Sequence, residues 1–295
     1  MTPAIFAKFI LNGLIAGSLY AVLALGLSLL FGVLRFVNLA HGEFALIGAY
    51  AFYVFFNILH WPLIPSFILG IAALLAIVYV IQKCTFLPVR EAPPLISLIL
   101  AIGLSIFLKH ALLLIFEAKI RSMDYIAKSY TLFAEIVRIT DVQIIIIITS
   151  IVLMVGLWAF LKHTTMGKAI RAVSDNKEVA AILGIPINRI ITVTFMISAF
   201  LAGTAGILAA FDQNLHPSLG TFFAIKSFAA VILGGMGSIP GAVLGGYLIG
   251  MAENILIAIP FGGWYIPSSY KDAIAFIILI LILYIRPSGL LGARK

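Results

Sequence analysis

Cysteine, acidic side chains and polar stretches are what this sequence has least of, and each shortage closes off a class of protein. The single cysteine, Cys84, rules out an internal disulfide and any multi-cysteine metal centre. It reads as a small apolar residue packed near a helix end. Charged residues make up only 10% of the 295 residues, against 63% hydrophobic, and the mean hydropathy is +1.19. A soluble domain of this size carries charge on roughly a quarter of its residues. This chain cannot cover such a core with water-compatible surface, so lipid is expected to solvate much of its exterior.

Chemistry-bearing motifs are missing too. There is no G-x-x-x-x-G-K-[ST]: Gly167 and Lys168 are followed by Ala169, so the chain cannot cradle nucleotide phosphates in that way. The H-E-x-x-H and G-x-S-x-G patterns are also absent, which removes the usual metalloprotease and hydrolase signatures. No catalytic residue, metal or cofactor is therefore expected. The net charge of +8 would suit a nucleic-acid partner, but the basic residues stand singly or in short groups at the ends of apolar runs. That is a membrane protein's positive-inside pattern rather than a basic and aromatic stripe, and it points to a bilayer and not to nucleic acid.

What the sequence does have is a succession of long apolar runs. The first continues over 9–31, well past the h-region of about 7–15 residues in a signal peptide, and reads as a membrane helix. Backbone groups in lipid must be paired within their own segment, so such runs are helices. They fall at 5–31, 38–59, 63–82, 94–116, 142–161, 189–211, 222–235, 239–259 and 271–285. Crossing the hydrocarbon takes about 20 residues at 1.5 Å each. Two runs are short, 222–235 and 271–285, and the cluster Gly234, Gly235, Met236, Gly237 makes the first a re-entrant or broken helix. The expected fold is all-α, a polytopic membrane helix bundle forming a single transmembrane domain over 1–295. It has eight or nine hydrophobic helical segments and a short cytoplasmic helix in the loop at about 162–189.

Charge sets the orientation. The longest basic connection carries Lys162, Lys168, Arg171, Lys177 and Arg189, which places it in the cytoplasm. Alternation then puts Arg35, Lys83, Arg90, Arg286, Arg294 and Lys295 on the same side, with the N-terminus outside and the C-terminus inside given nine crossings. The outer side receives Lys8, Lys119, Arg121, Lys128, Arg138, Lys226 and Lys271, diluted by Glu117, Asp124, Glu135 and Asp141. The bias is modest but consistent. Glycines at four-residue spacing (Gly13 with Gly17, Gly241 with Gly245, Gly246 with Gly250) let helix backbones approach closely in lipid. Packing within the bundle is the simple reading; a subunit interface or a narrow path is the alternative.

The cytoplasmic loop is the most informative local feature. Asp175 and Glu178 stand in a D-x-x-E arrangement that can cap a helix reciprocally. Val179, Ile182 and Leu183 then fall on one face, Gly184 suits the position just past the helix end, and Pro186 blocks continuation. The result is a short capped helix with an apolar face. That face either packs back onto the chain's own spans or is offered to a soluble partner.

Here a resemblance joins the residues. The run Lys177, Glu178, Val179, Ala180, Ala181, Ile182, Leu183, Gly184 resembles the E-A-A…G coupling loop of ABC-importer permeases, with Val179 as a departure. Three further blocks resemble one family, the LivH-type branched-chain amino acid permeases. They are 26–44 (GLSLLFGVLRFVNLAHGEF), 227–242 (SFAAVILGGMGSIPGA) with Pro217 and Gly220 before it, and 286–292 (RPSGLLG). The resemblance implies a permease subunit in the plasma membrane (the inner membrane of a bacterium) that moves branched-chain or related amino acids. Its implied partners are ATP-binding cassette subunits, a second, paralogous LivM-like permease subunit and a periplasmic or extracellular solute-binding protein. Residues 177–184 would contact the ATPase, which explains why this chain needs no phosphate loop of its own.

Candidate solute-path residues follow from polarity inside apolar runs. Asn38 reads as an N-cap of the second helix, with His41 and Glu43 near its positive end. The same His41 and Glu43 could instead line or gate the path, since ionisable groups at membrane depth usually face a cavity. Glu253 and Asn254, in an otherwise apolar helix, are either a buried hydrogen-bonded pair or path-lining. Gly234, Gly235 and Gly237 form either a helix break exposing backbone to solute or a tight turn. Lys109 and His110 are expected to snorkel to the outer interface. The rival functions are a stand-alone secondary transporter or channel for small polar solutes, and an intramembrane enzyme. The first would call for a relay of intramembrane carboxylates or histidines, and the second lacks its motifs.

Overall fold

The computed structural model describes residues 3–132, 137–258, 267, 270–286 and 288–292. Glu135, Ile259, Pro287, Arg294 and Lys295, which entered the sequence reading, lie outside these residues. The described chain is predominantly helical: α1 Pro3–Leu34, α2 His41–Tyr53, α3 Leu63–Ile81, α4 Pro94–Phe116, α5 Asp141–His163, α6 Thr165–Asp175, α7 Lys177–Ile182, α8 Ile187–Asp212, α9 Leu219–Gly234, α10 Ile239–Ala258 and α11 Lys271–Ile285. Among the described residues, six helices are long and apolar enough to cross a bilayer, and Leu219–Gly234 and Phe276–Ile285 are shorter apolar helices. A polytopic, all-α membrane architecture follows. One small departure is an antiparallel hairpin, β1 Ser129–Leu132 with β2 Val137–Thr140, in the connection before α5.

Apolar composition makes these helices, but burial sorts them. The most apolar 18-residue window is 83% buried in α1 and 72% buried in α8, against 28%, 17% and 22% for the spans containing α3, α4 and α5. So α1 and α8 run through the centre with α2, α9 and α10 packed around them, while α3, α4 and α5 turn apolar faces outward. Ile99, Phe107, Leu114, Ile148 and Val152 are examples of those outward side chains. On a water-soluble protein such a surface would aggregate; here it is the lipid-facing shell.

Glycine spacing supplies the central contact. A Cβ on Gly250 would lie 2.3 Å from the Gly17 backbone nitrogen, and one on Gly246 would lie 2.5 Å from Ala21 Cα. Helices α1 and α10 therefore touch backbone to backbone along this stripe. On the other face of α10, a Cβ on Gly245 would meet the Ala230 carbonyl oxygen of α9 at 2.0 Å. The glycine repeats thus pack α10 between α1 and α9.

Local capping agrees with the sequence in kind more than in position. Thr140 and Gln143 form a reciprocal capping box at α5, with both hydrogen bonds at 3.2 Å. Asn38 does not cap α2: its side-chain oxygen accepts from Ala40 N at 3.1 Å in the turn before the helix, which starts at His41 behind Ala40. Asp175 does not cap α7 either, for the reason given below. Helix α2 continues into a π-helical turn over Val54–Ile58, and α3 into another over Gln82–Phe86. Cys84 lies in the second of these and is exposed rather than packed, because the π turn carries it to the outward side of the bundle.

Candidate functional site

The residues singled out by sequence fall in four places: α7, a group around Glu253, the His41 and Glu43 position, and the turn between α9 and α10. The first is α7. Its cap is Asn176, whose side-chain oxygen accepts from Glu178 N and Val179 N, both at 3.0 Å. The cap sits one residue later than the D-x-x-E reading expected, because α6 runs through Asp175 and only Asn176 has the extended backbone that a cap requires. Gly184 takes φ +79°, the left-handed conformation that ends the helix as expected. The capped turn turns one side inward through Ala180, which is buried. Val179, Ile182 and Leu183 project outward at 50%, 85% and 73% exposure. Of the two readings of this face, packing on the chain's own spans does not occur. Lys177 and Glu178 sit beside it, and the Arg90 guanidinium donates to Asn188 at the start of α8, joining the neighbouring loop to its base.

The cap gives α7 a measurable weak point. Asn176→Ala is expected to cost about 1 kcal/mol of local stability, as N-cap removal generally does. Amide exchange at residues 177–183 should then accelerate about fivefold, with the protection of α1 and α8 unchanged. Unchanged exchange at 177–183 would show that tertiary contacts, not the cap, hold this turn.

The second region is a set of buried polar side chains. Glu253 of α10 and Lys226 of α9 form an ion pair, at 3% and 2% side-chain exposure. The Tyr20 hydroxyl of α1 donates to the second Glu253 oxygen at 3.3 Å, and the Lys226 ammonium lies 5.0 Å and 5.7 Å from the Phe222 and Tyr20 ring centres. Sequence reading had counted Lys226 among the outer surface charges. The structure buries it, because the short helix α9 brings it to the level of Glu253 inside the bundle. A lysine seven residues into a short apolar helix, with a lone carboxylate in a later one, was the available signal. Asn254 donates to the Gly250 carbonyl at 2.8 Å and accepts from Lys271 of α11 at 3.4 Å.

His41 and Glu43 occupy a separate buried position. The His41 ring lies between Leu23 O at 3.0 Å and Ser198 Oγ at 3.2 Å, bridging α1 and α8. Glu43 accepts from Ser105 of α4 and Thr221 of α9, both at 3.4 Å, and its other oxygen faces Gly220, where a Cβ would come within 2.2 Å. Neither residue joins the Glu253 group. Glu43 is as buried as Glu253, so among the described residues the bundle holds two buried carboxylates.

Gly234, Gly235 and Gly237 form the turn from α9 to α10, with Gly235 at φ +103° and Gly237 at φ +83°. The chain end docks on this turn. Leu290 N donates to Leu233 O and Leu291 N to Gly234 O, both at 2.9 Å, so the tail caps the last carbonyls of α9. A Cβ on Gly235 would lie 2.4 Å from Gly292 N, so this close approach requires glycine at 235. Lys109 is half-buried and His110 exposed near the end of α4.

The family model described as "Branched-chain amino acid transport system / permease component" matches residues 9–283. The chain belongs to this permease family. Among its relatives, the high-affinity branched-chain amino acid transport system permease protein BraD of Pseudomonas aeruginosa is 37% identical, over 97% of this chain and 96% of the relative. The corresponding LivH protein of Escherichia coli is 34% identical over the same shares. The ribose import permease protein RbsC of Haemophilus influenzae is 30% identical over 50% of this chain and 46% of its own length. The fold of the permease is similar to that of PsaBC from Streptococcus pneumoniae in complex with Fab, with a TM-score of 0.52, 14% identity, and coverage of 95% and 92% of the two chains. The permease is a transport component and not an enzyme.

Proposed function

We propose that this permease is the membrane-spanning subunit through which an ATP-driven importer moves branched-chain or related amino acids inward. In this reading the whole chain is one transmembrane domain. Helices α1 to α5 and α8 to α11 form nine membrane segments, α9 being a short one, and nine crossings put the N-terminus outside and the α6–α7 loop and C-terminus in the cytoplasm. The partners are two ATP-binding cassette subunits, a second permease subunit of the paralogous LivM-like kind and an extracytoplasmic solute-binding protein. Helix α7, over 177–184, seats in the ATPase and transmits its closure. Asn38, His41, Glu43, Glu253, Asn254 and the glycine turn at 234–237 are the polar positions closest to a solute route.

One observation carries the reading: the exposed apolar trio Val179, Ile182 and Leu183 on a short capped helix set off from the spans. Three large apolar side chains held in water favour a partner with a complementary groove. The second support is chemical. Glu253 is compensated by Lys226, an arrangement suited to holding a static bundle together rather than to passing protons along a relay.

The test is reconstitution in proteoliposomes with the ATPase, second permease and binding protein. Labelled leucine is expected to accumulate only when ATP is inside with the ATPase. Accumulation by this chain alone, driven by an ion gradient, would overturn the proposal in favour of a secondary transporter.

A further inference from the structure

At the end of the bundle opposite α7 lies a chamber lined in part by Glu253 and Asn254. It has a volume of about 450 Å³, within the range of about 300–1,000 Å³ in which small ligands are usually held. The N-terminal part of α1, the first turn of α5, the last turn of α8 and the facing ends of α10 and α11 surround it.

Its lining is divided by chemistry. Ile15, Ala16 and Phe222 are its apolar lining. Groups of both charge signs line it as well: Asp212, which accepts from Gln143 at 3.3 Å, and Lys271, which donates to Asn254 at 3.4 Å. The Glu253 carboxylate, which accepts from Tyr20 and pairs with Lys226, completes them. We infer that this chamber is a binding station for a free amino acid with an apolar side chain, the α-ammonium directed to Asp212 and Glu253, the α-carboxylate to Lys271, and the side chain laid on Ile15, Ala16 and Phe222. A zwitterion needs a cationic and an anionic group within a few ångströms, plus an apolar surface beside them, and a chamber of mixed charge with an apolar lining supplies both. A sugar would leave Asp212 and Lys271 without a charged partner, and an inorganic ion would leave the apolar lining unused. The inference rests on the proposed function and deepens it by locating where the solute is held.

The single native cysteine makes a direct test available. The assembled transporter, in proteoliposomes and carrying Cys84→Ser with Ala16→Cys, is treated from outside with a small hydrophilic methanethiosulfonate reagent. Leucine in large excess is expected to slow modification at position 16 at least fivefold, whereas isoamylamine, which lacks the carboxylate, protects less than twofold. Gln213→Cys, at the exposed rim, repeats the measurement where the first variant folds poorly. Equal rates with and without leucine, or equal protection by isoamylamine, would overturn the assignment. Uptake of labelled leucine by the unmodified transporter is measured in parallel. Uptake without protection refutes the chamber and leaves the proposed function standing, whereas no ATP-dependent uptake refutes that function and the chamber's role with it.

Discussion

Ile182→Asp should abolish ATP-driven uptake while leaving the amount of permease in the membrane unchanged. Ile182 is 85% exposed, so the new carboxylate is well hydrated in the isolated subunit and costs its fold little. The cost arises on assembly, where the same side chain would have to enter an apolar groove. Burying a charge without a partner, or losing an anchor at the centre of an interface, typically costs about 2 kcal/mol or more, roughly thirtyfold in affinity. Uptake in reconstituted vesicles is expected to fall at least about tenfold, and the ATPase subunits to co-purify poorly with the variant. Ile182→Leu keeps the apolar surface and should retain most of the transport. If Ile182→Asp transports at the normal rate, α7 is not the element through which ATP hydrolysis drives the permease.

The second large effect concerns the ion pair between α9 and α10. Lys226→Met places an apolar side chain of similar length in the same space but leaves Glu253 without its ammonium partner. Breaking a buried pair in this way costs about 3–5 kcal/mol, because a carboxylate remains in a medium that solvates it poorly. Thermal unfolding of the purified permease in detergent should shift down clearly, with α9 losing protection from amide exchange first. The double variant Lys226→Met with Glu253→Met removes both charges and is expected to recover most of that loss, since a buried pair contributes little over well-packed apolar residues. A single variant as stable as the parent would mean that the bundle admits enough water to hydrate Glu253.

These two predictions differ in where their warrants come from. The helix carrying Ile182 was readable in the residues: polar starter, apolar positions at helical spacing, then Gly184 and Pro186. Reading alone could not say which residue caps it, because Asp175 and Asn176 are both good caps and the choice depends on how far α6 runs. Nor could it say whether the apolar face turns inward, which depends on Ala180 being the residue that meets the bundle. The residues Lys226 and Glu253 stood out as charges within apolar helices, but their pairing was not readable. The two residues lie 27 positions apart on different helices, and only the depth to which α9 enters the bundle brings them together.

The same division runs through the whole molecule. Composition and run length by themselves determined that the chain belongs in lipid and is built of helices, since a bilayer offers backbone groups no other partner. Glycine spacing indicated that some helices touch closely. Which helices touch, and which face lipid, came only from the tertiary structure: α1, α3, α4 and α8 are all apolar enough to span, α1 and α8 slightly the less so, yet α1 and α8 are mostly buried and α3 and α4 are not. The reason is physical. In water, apolar faces mark the inside of a protein; in a membrane both the interior and the exterior are apolar, so hydropathy no longer separates them, and side-chain packing decides.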